Sequence, residues 1–218
     1  MRTFRPIRHI IQYTTGLVSG FGTRFGRFKP GNIIFQIILF TCLFLCYPPQ
    51  SICSARQKAS ENELKAVYLY NFLQFVQWPS EQAGWSKDNA KIIGVVGDSP
   101  FGTALAELQI NVNKNVANPI RVIYYGRYHE EINLNACHLL FVSESEKQHI
   151  GKIMSAVKGS PVLTVSDVDD FISSGGMIAL VREKGKIRWM INRGLTDKAG
   201  LRLSSQLLSI ALRVVNKP

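Results

Sequence analysis

Five short apolar runs constrain this chain more than any other feature: Lys91–Val96 (KIIGVV), Ile120–Tyr125 (IRVIYY), Leu139–Val142 (LLFV), Pro161–Val165 (PVLTV) and Met177–Val181 (MIALV). They are rich in β-branched residues and do not alternate strictly with polar ones, so each suits a strand covered on both faces. Such strands belong to a largely parallel sheet with helices on its sides. Parallel neighbours need crossover connections, and the intervening segments have the length and polarity for helices. A further run, Ile187–Ile191 (IRWMI), follows the fifth across Glu183-Lys184-Gly185-Lys186, the composition of a tight turn. That pair reads as an antiparallel hairpin at the sheet's edge.

Residues 61–78 (ENELKAVYLYNFLQFVQW) place Leu64, Val67, Tyr68, Phe72 and Phe75 at helical spacing, with Asn71 inside the stripe and Pro79 as the stop. A polar connection over Gly84–Ala90 leads to the first apolar run. Helix starts are read from caps: Ser99 before Pro100, Ser143 three residues before Glu146, and Ser166 three residues before Asp169. Gly175-Gly176 would close the helix that Ser166 opens. From Ser204 a last helix is expected, with Leu207, Leu208, Ile210, Ala211, Val214 and Val215 on a broad apolar face. The expected fold is a single α/β domain: a largely parallel β-sheet flanked by helices, with an antiparallel edge hairpin and packed N- and C-terminal helices.

Ahead of this domain, Ile33–Tyr47 is an uncharged run of 15 residues between Lys29 and Pro48-Pro49. That is the length of a signal-peptide apolar region and short of a bilayer span, which needs about 20 residues. A cut after Ala55 divides the chain into a signal peptide with a long basic start, residues 1–55, and a domain over residues 56–218. The alternative is a retained inner-membrane anchor facing the periplasm, and both versions export the domain. Cys42, Cys46 and Cys53 fall in the leader, leaving Cys137 alone in the domain, so no disulfide forms within it. Cys137, followed by His138 and an apolar run, reads as a core residue at a strand edge, with an intermolecular thiol as the sharper alternative. The histidines lack zinc-ligand spacing with it.

The chain of 218 residues carries a formal charge of +11. Residues 1–55 hold six Lys and Arg and no acid, so the remaining 163 residues hold 20 basic side chains against 15 acidic. The domain is therefore only mildly basic, which argues against a nucleic-acid partner. At the carboxyl ends of the strands, Gly97-Asp98-Ser99, Ser143-Glu144-Ser145 and Ser166-Asp167 form a polar rim where α/β sheets take ligands; helix capping accounts for the same residues. No dinucleotide fingerprint, phosphate loop or nucleophile elbow is present, no cofactor is implied, and an enzyme is not expected. Arg182, Lys184, Lys186 and Arg188 alternate along the hairpin, suited either to an anionic ligand or to a solvated edge. Trp78, Tyr124, Tyr125 and Trp189 are aromatic surface for a partner or, at strand positions, core.

Several blocks taken together resemble the YfiR family of small periplasmic proteins. They are Tyr70-Asn71-Phe72 with Phe75-Val76-Gln77-Trp78-Pro79, then Cys137 to Ser143, then Val162 to Asp167 with Phe171 and Gly175-Gly176-Met177-Ile178, and finally Ala199-Gly200-Leu201-Arg202-Leu203-Ser204-Ser205-Gln206-Leu207-Leu208. The resemblance spans nearly all of residues 61–215. It implies a periplasmic repressor that binds the sensor domain of an inner-membrane diguanylate cyclase, lowering cyclic-di-GMP and biofilm formation until envelope stress, a redox change or a small ligand releases it. It also implies that a homodimer is open to the chain. The single Cys137 departs from members that carry a cysteine-pair redox switch. A periplasmic small-ligand-binding module serving a receptor or sensor kinase is the second expectation, and an envelope hydrolase the third. The residues expected to bind a ligand or partner are Asn71 and Trp78 on the first helix, Ser166 and Asp167 on the rim, and Arg202, Ser205 and Gln206 at the start of the last helix. Asn71 and Gln206 could equally tie the terminal helices together.

Overall fold

The computed structural model describes residues 51–79, 90–114 and 119–216. The expected leader run over 33–47 and most of the polar connection over 84–90 lie outside the described residues. A long helix, α1 (Ser51–Phe75), leads into a short strand, β1 (Val76–Gln77). Then come β2 (Lys91–Val96), α2 (Ala104–Asn113), β3 (Ile120–Gly126), β4 (Leu139–Val142), α3 (Ile150–Ala156), β5 (Leu163–Ser166), β6 (Ile178–Glu183) and β7 (Lys186–Asn192). The chain closes with α4 (Arg193–Lys198), β8 (Arg202–Leu203), α5 (Ser205–Ser209) and β9 (Arg213–Val215).

Seven strands form one sheet in the order β3-β2-β4-β5-β6-β7-β9, and β1 pairs with β8 in a separate two-stranded ribbon. Neighbours from β3 through β6 are parallel, β6 and β7 are antiparallel, and β9 runs parallel to β7. The α/β architecture read from the apolar runs is therefore the observed one. All four residues of β4 and of β5 are buried, as strands covered on both faces must be. On one face Ile93, Leu139, Phe141, Leu163, Val165, Ile178 and Leu180 pack with Leu69, Phe72 and Leu73 of α1 and Leu105 of α2. On the other, Leu140, Val142 and Ala179 pack with Ile150 and Ile153 of α3 and with Leu134 and Phe171. Burying each such large apolar side chain contributes about 1.5–3 kcal/mol.

Several local expectations are corrected, the first at Ser99-Pro100, which lead into a turn while α2 starts at Ala104 after Thr103. The buried side of α1 is Lys65, Ala66, Leu69, Phe72 and Leu73, whereas Leu64 and Val67 are exposed. The helix carries apolar residues on more than one face, and the sheet selects the side with the larger contiguous surface. Ser166 opens no helix: its hydroxyl donates to the Val142 carbonyl at 2.6 Å and accepts from the Val168 N–H, and turns carry the chain to Gly176. Ser143 precedes a 3-10 turn (Glu144–His149) and makes no side-chain cap, because its hydroxyl donates to the Asp98 carbonyl instead. The last helix stops at Ser209, and Arg213–Val215 becomes a strand; Val214 and Val215 follow their β-branched preference once β7 offers an unpaired side. The hairpin strand β7 is consequently internal and β9 is the sheet's edge.

Candidate functional site

Helix α1 runs antiparallel to the central strands and is fixed by lysines at two points, past its middle and at its end. Just past its middle, Lys65 is 8% exposed, and its Nζ lies 2.8 Å from Asp167 Oδ2 and 3.0 Å from Glu61 Oε1. Glu61 also pairs with Arg182 of β6. A four-charge chain, Asp167-Lys65-Glu61-Arg182, thus ties α1 to the carboxyl end of β5 and to the hairpin. Near the end of α1, Lys91 at the first position of β2 donates to the Leu73 carbonyl, satisfying an acceptor of the last turn. The Lys91 ammonium also lies 5.2 Å from the Trp78 ring centroid. Burial lowers its pKa.

Trp78 stands edge to face against His138, with ring centroids 5.6 Å apart. His138 Nδ1 accepts the Ile92 N–H at 3.0 Å, which requires the unprotonated nitrogen. Burial, and secondarily the neighbouring Lys91 charge, pull its pKa down to about 4. Next to it Cys137 is fully buried and donates to the Leu134 carbonyl; burial raises its thiol to about 12. That places Cys137 in the core, as its strand-edge position implied, and makes it a poor nucleophile.

The strand-end rim is built from groups that bond to one another. In this sheet the order reverses between β2 and β4, which is where a ligand crevice is expected. There Ser145 Oγ accepts the Asp98 N–H at 2.8 Å, and the Ser143 hydroxyl donates to the Asp98 carbonyl. Gly97 (φ +91°) lets the two loops meet, because a Cβ there would lie 2.5 Å from Ser145 Oγ. Ser166 bonds Val142 and Val168, and Asp167 pairs with Lys65 through Oδ2 while its buried Oδ1 has no hydrogen-bond partner. The rim therefore locks loops together. Among the described residues no group of three His, Cys, Asp or Glu side chains is placed to hold a metal ion.

The remaining predicted residues gather at the opposite, amino edge of the sheet. In the β1-β8 ribbon Val76 pairs with Leu203 and Gln77 with Arg202, and the Ser204 N–H donates to the Phe75 carbonyl at 2.9 Å. Ser204 then caps α5 through the Leu207 N–H. Gly200 (φ +72°) abuts Pro79, whose Cγ would sit 3.2 Å from an added Cβ. The ribbon thus joins the Asn71–Pro79 block to the Ala199–Leu208 block. Asn71 and Trp78 are half-buried, while Arg202, Ser205 and Gln206 are exposed around the ribbon. Ser166 and Asp167 are not part of this group. Trp189 is core rather than surface, in edge contacts with Tyr68 and Phe72 at 5.1 and 5.6 Å. Tyr124 is about half exposed. The four hairpin cations divide: Arg182 turns to Glu61, and Arg188 lies on the other face, donating to the Ile210 carbonyl.

Sequence reasoning missed Lys65, Lys91 and His138. Lys65 had a signal, since it shares the helix face of Leu69, Phe72 and Leu73, where a lone cation needs a buried partner. No curated protein matches the chain significantly. Among solved structures it is similar to an ABC domain in complex with L-Trp from Streptococcus pneumoniae (14% identity, TM-score 0.45, 62% of this chain and 58% of that one). It is also similar to a conserved domain protein from Vibrio cholerae (12% identity, TM-score 0.49, 70% of this chain and 60% of that one). The chain thus spans about three fifths of the length of each. The profile of the YfiR/HmsC-like family matches residues 62–212, from the middle of α1 to the entry of β9 and across both blocks of the ribbon, and the chain belongs to that family.

Proposed function

We propose that the protein is an exported, non-catalytic regulator that binds the periplasmic sensor domain of an inner-membrane diguanylate cyclase and holds it inactive. Membership of the YfiR/HmsC-like family supports a periplasmic regulator of the diguanylate cyclase type and carries the reading. The ribbon supports it further, because the two blocks most typical of the resemblance meet there and leave Arg202 exposed beside Gln77, with Ser205 and Gln206 exposed at the start of α5. Arginine is enriched at protein interfaces, and Arg202 stands exposed on the ribbon. The small-ligand alternative has less support, since the rim groups at the strand ends bond to each other. No helix among the described residues is long and apolar enough to cross a membrane. Export then depends on the leader over residues 1–55.

Deleting the gene tests this reading. Cellular cyclic-di-GMP is expected to rise severalfold and to return to baseline on complementation. Complementation by a chain carrying Arg202→Glu with Gln206→Lys is expected to fail although the protein accumulates. An unchanged cyclic-di-GMP level, in a strain whose cyclases are shown to be active, would overturn it.

A further inference from the structure

Basic side chains are distributed very unevenly over the folded region. Residues 56–177 hold 11 Lys and Arg against 13 Asp and Glu, whereas residues 178–218 hold nine against two. Of the second group, Arg182, Lys184, Lys186, Arg188 and Arg213 belong to the β6-β7 hairpin and to β9, so this charge collects on the side of the sheet that ends in β9. Register places Arg213 beside Met190, and hence on the same sheet face as Arg188 and Lys186. Glu183, opposite Lys186, is the acid of that face on the hairpin. The Arg188 guanidinium bonds the Ile210 carbonyl, which sets it beside the chain entering β9. On the opposite face of the same edge Leu212 and Val214 are 37% and 40% exposed.

The edge also offers backbone groups. Asn192 donates its N–H to Met177 on the β6 side, so by alternation Ile191 presents its backbone to β9, between Arg213 and Val215. Val214 then turns its N–H and C=O away from β7. An extended segment laid along β9 would bond these groups and add an eighth strand. Its side chains would alternate between Arg213 on one face and Leu212 and Val214 on the other. We propose that β9 is a docking edge for an extended acidic segment of a partner protein, one that alternates carboxylate and apolar side chains and binds by strand addition. A second copy of this chain is the poorer occupant, because edge-to-edge pairing would bring two Arg213-Arg188-Lys186 rows onto one face. The proposal goes beyond the cyclase reading and does not depend on the partner's identity.

The test uses the full-length gene product, purified in the form that cells accumulate. Fluorescence anisotropy is followed with a labelled peptide of alternating Glu and Val, with a Lys-Val counterpart, and with a Glu-Val peptide interrupted by prolines. The Glu-Val peptide is expected to bind in the micromolar range, with no measurable binding of the Lys-Val peptide. Arg213→Glu is expected to weaken binding about tenfold or more. Val214→Pro should do the same, because it removes the outward N–H and leaves the β7 ladder intact. If Arg213→Glu lowers the folded signal in circular dichroism, Lys186→Glu replaces it, with a smaller loss expected. Undetectable binding of the Glu-Val peptide would overturn the proposal. Equal binding of the proline-interrupted peptide would overturn strand addition. Arg213-dependent binding to phosphatidylglycerol vesicles, without peptide binding, would assign the edge to a lipid surface instead. Altered cyclic-di-GMP bears only on the cyclase reading, so the two can fail separately.

Discussion

Replacing Lys65 with methionine measures how firmly α1 is held on the sheet. The substitution keeps most of the buried stem and removes the cation that separates Glu61 from Asp167. Removing one partner of a buried ion pair costs about 3–5 kcal/mol, because the other charge stays buried and unpaired. Here the Lys65, Glu61 and Asp167 side chains are 10%, 16% and 18% exposed, and Arg182 still neutralises Glu61. Water therefore reaches the carboxylates, and a loss of about 2–4 kcal/mol is expected. At roughly 3 °C per kcal/mol for a folded unit of this size, Tm falls by about 6–12 °C. Urea and thermal unfolding followed by circular dichroism measure it. The double variant Lys65→Met with Asp167→Leu should be at least about 1 kcal/mol more stable than the two single losses predict, since neither charge is left alone. A single-variant loss below about 1 kcal/mol, or strict additivity, would refute the argument that this chain of charges anchors α1.

The remaining predictions concern the end of α1, the core and the rim. His138 has a folded pKa of about 4 against an ordinary value near 6.5, so the unfolded chain takes up the proton first and stability, complete above pH 6.5, is lost as pH falls towards 4. Allowing for solvent near the ring, the loss is about 1–2 kcal/mol; urea midpoints across pH 4–7 measure it, and His138→Asn, which keeps an acceptor, should flatten the curve. Gly97→Ala combines a left-handed backbone with a Cβ 2.5 Å from Ser145 Oγ, so denaturant titration should show a loss of about 2–4 kcal/mol. Cys137, buried and with its thiol near 12, should resist alkylation by iodoacetamide in the native protein at pH 8 and react on unfolding; rapid native labelling would contradict its placement.

How much of this was legible in the sequence depended on whether a residue's partners were local. The strands β2 and β4 begin and end where their apolar runs do, because a doubly covered strand leaves no polar position to blur its limits. The buried side of α1 was harder: Leu64, Val67, Ala66 and Leu69 all satisfy a helical period, and the choice between sides belongs to the sheet. The serine caps misled for a related reason. Ser143 and Ser166 bond to Asp98 and Val142, across the sheet, so their short-range spacing to an acid carried no weight. Strand β9 was hidden because Leu207–Val215 suits a helix equally well until β7 presents an open side. Of the candidate site, the Asn71–Pro79 and Ala199–Leu208 blocks were visible as resemblance, but their union in one ribbon was not. The Lys65-Asp167 pair spans 102 residues and is invisible to any local pattern.

The central claim is that the chain works by holding a membrane-bound cyclase through its periplasmic domain. The most direct measurement is crosslinking of the tagged full-length protein in native membranes, followed by detergent solubilisation, affinity capture and mass spectrometry. The account predicts recovery of a diguanylate cyclase, crosslinked through its periplasmic domain to residues around Gln77, Arg202 and Gln206, and lost with Arg202→Glu. Recovery of a transporter or sensor kinase in its place, or crosslinks that ignore Arg202→Glu, would contradict it.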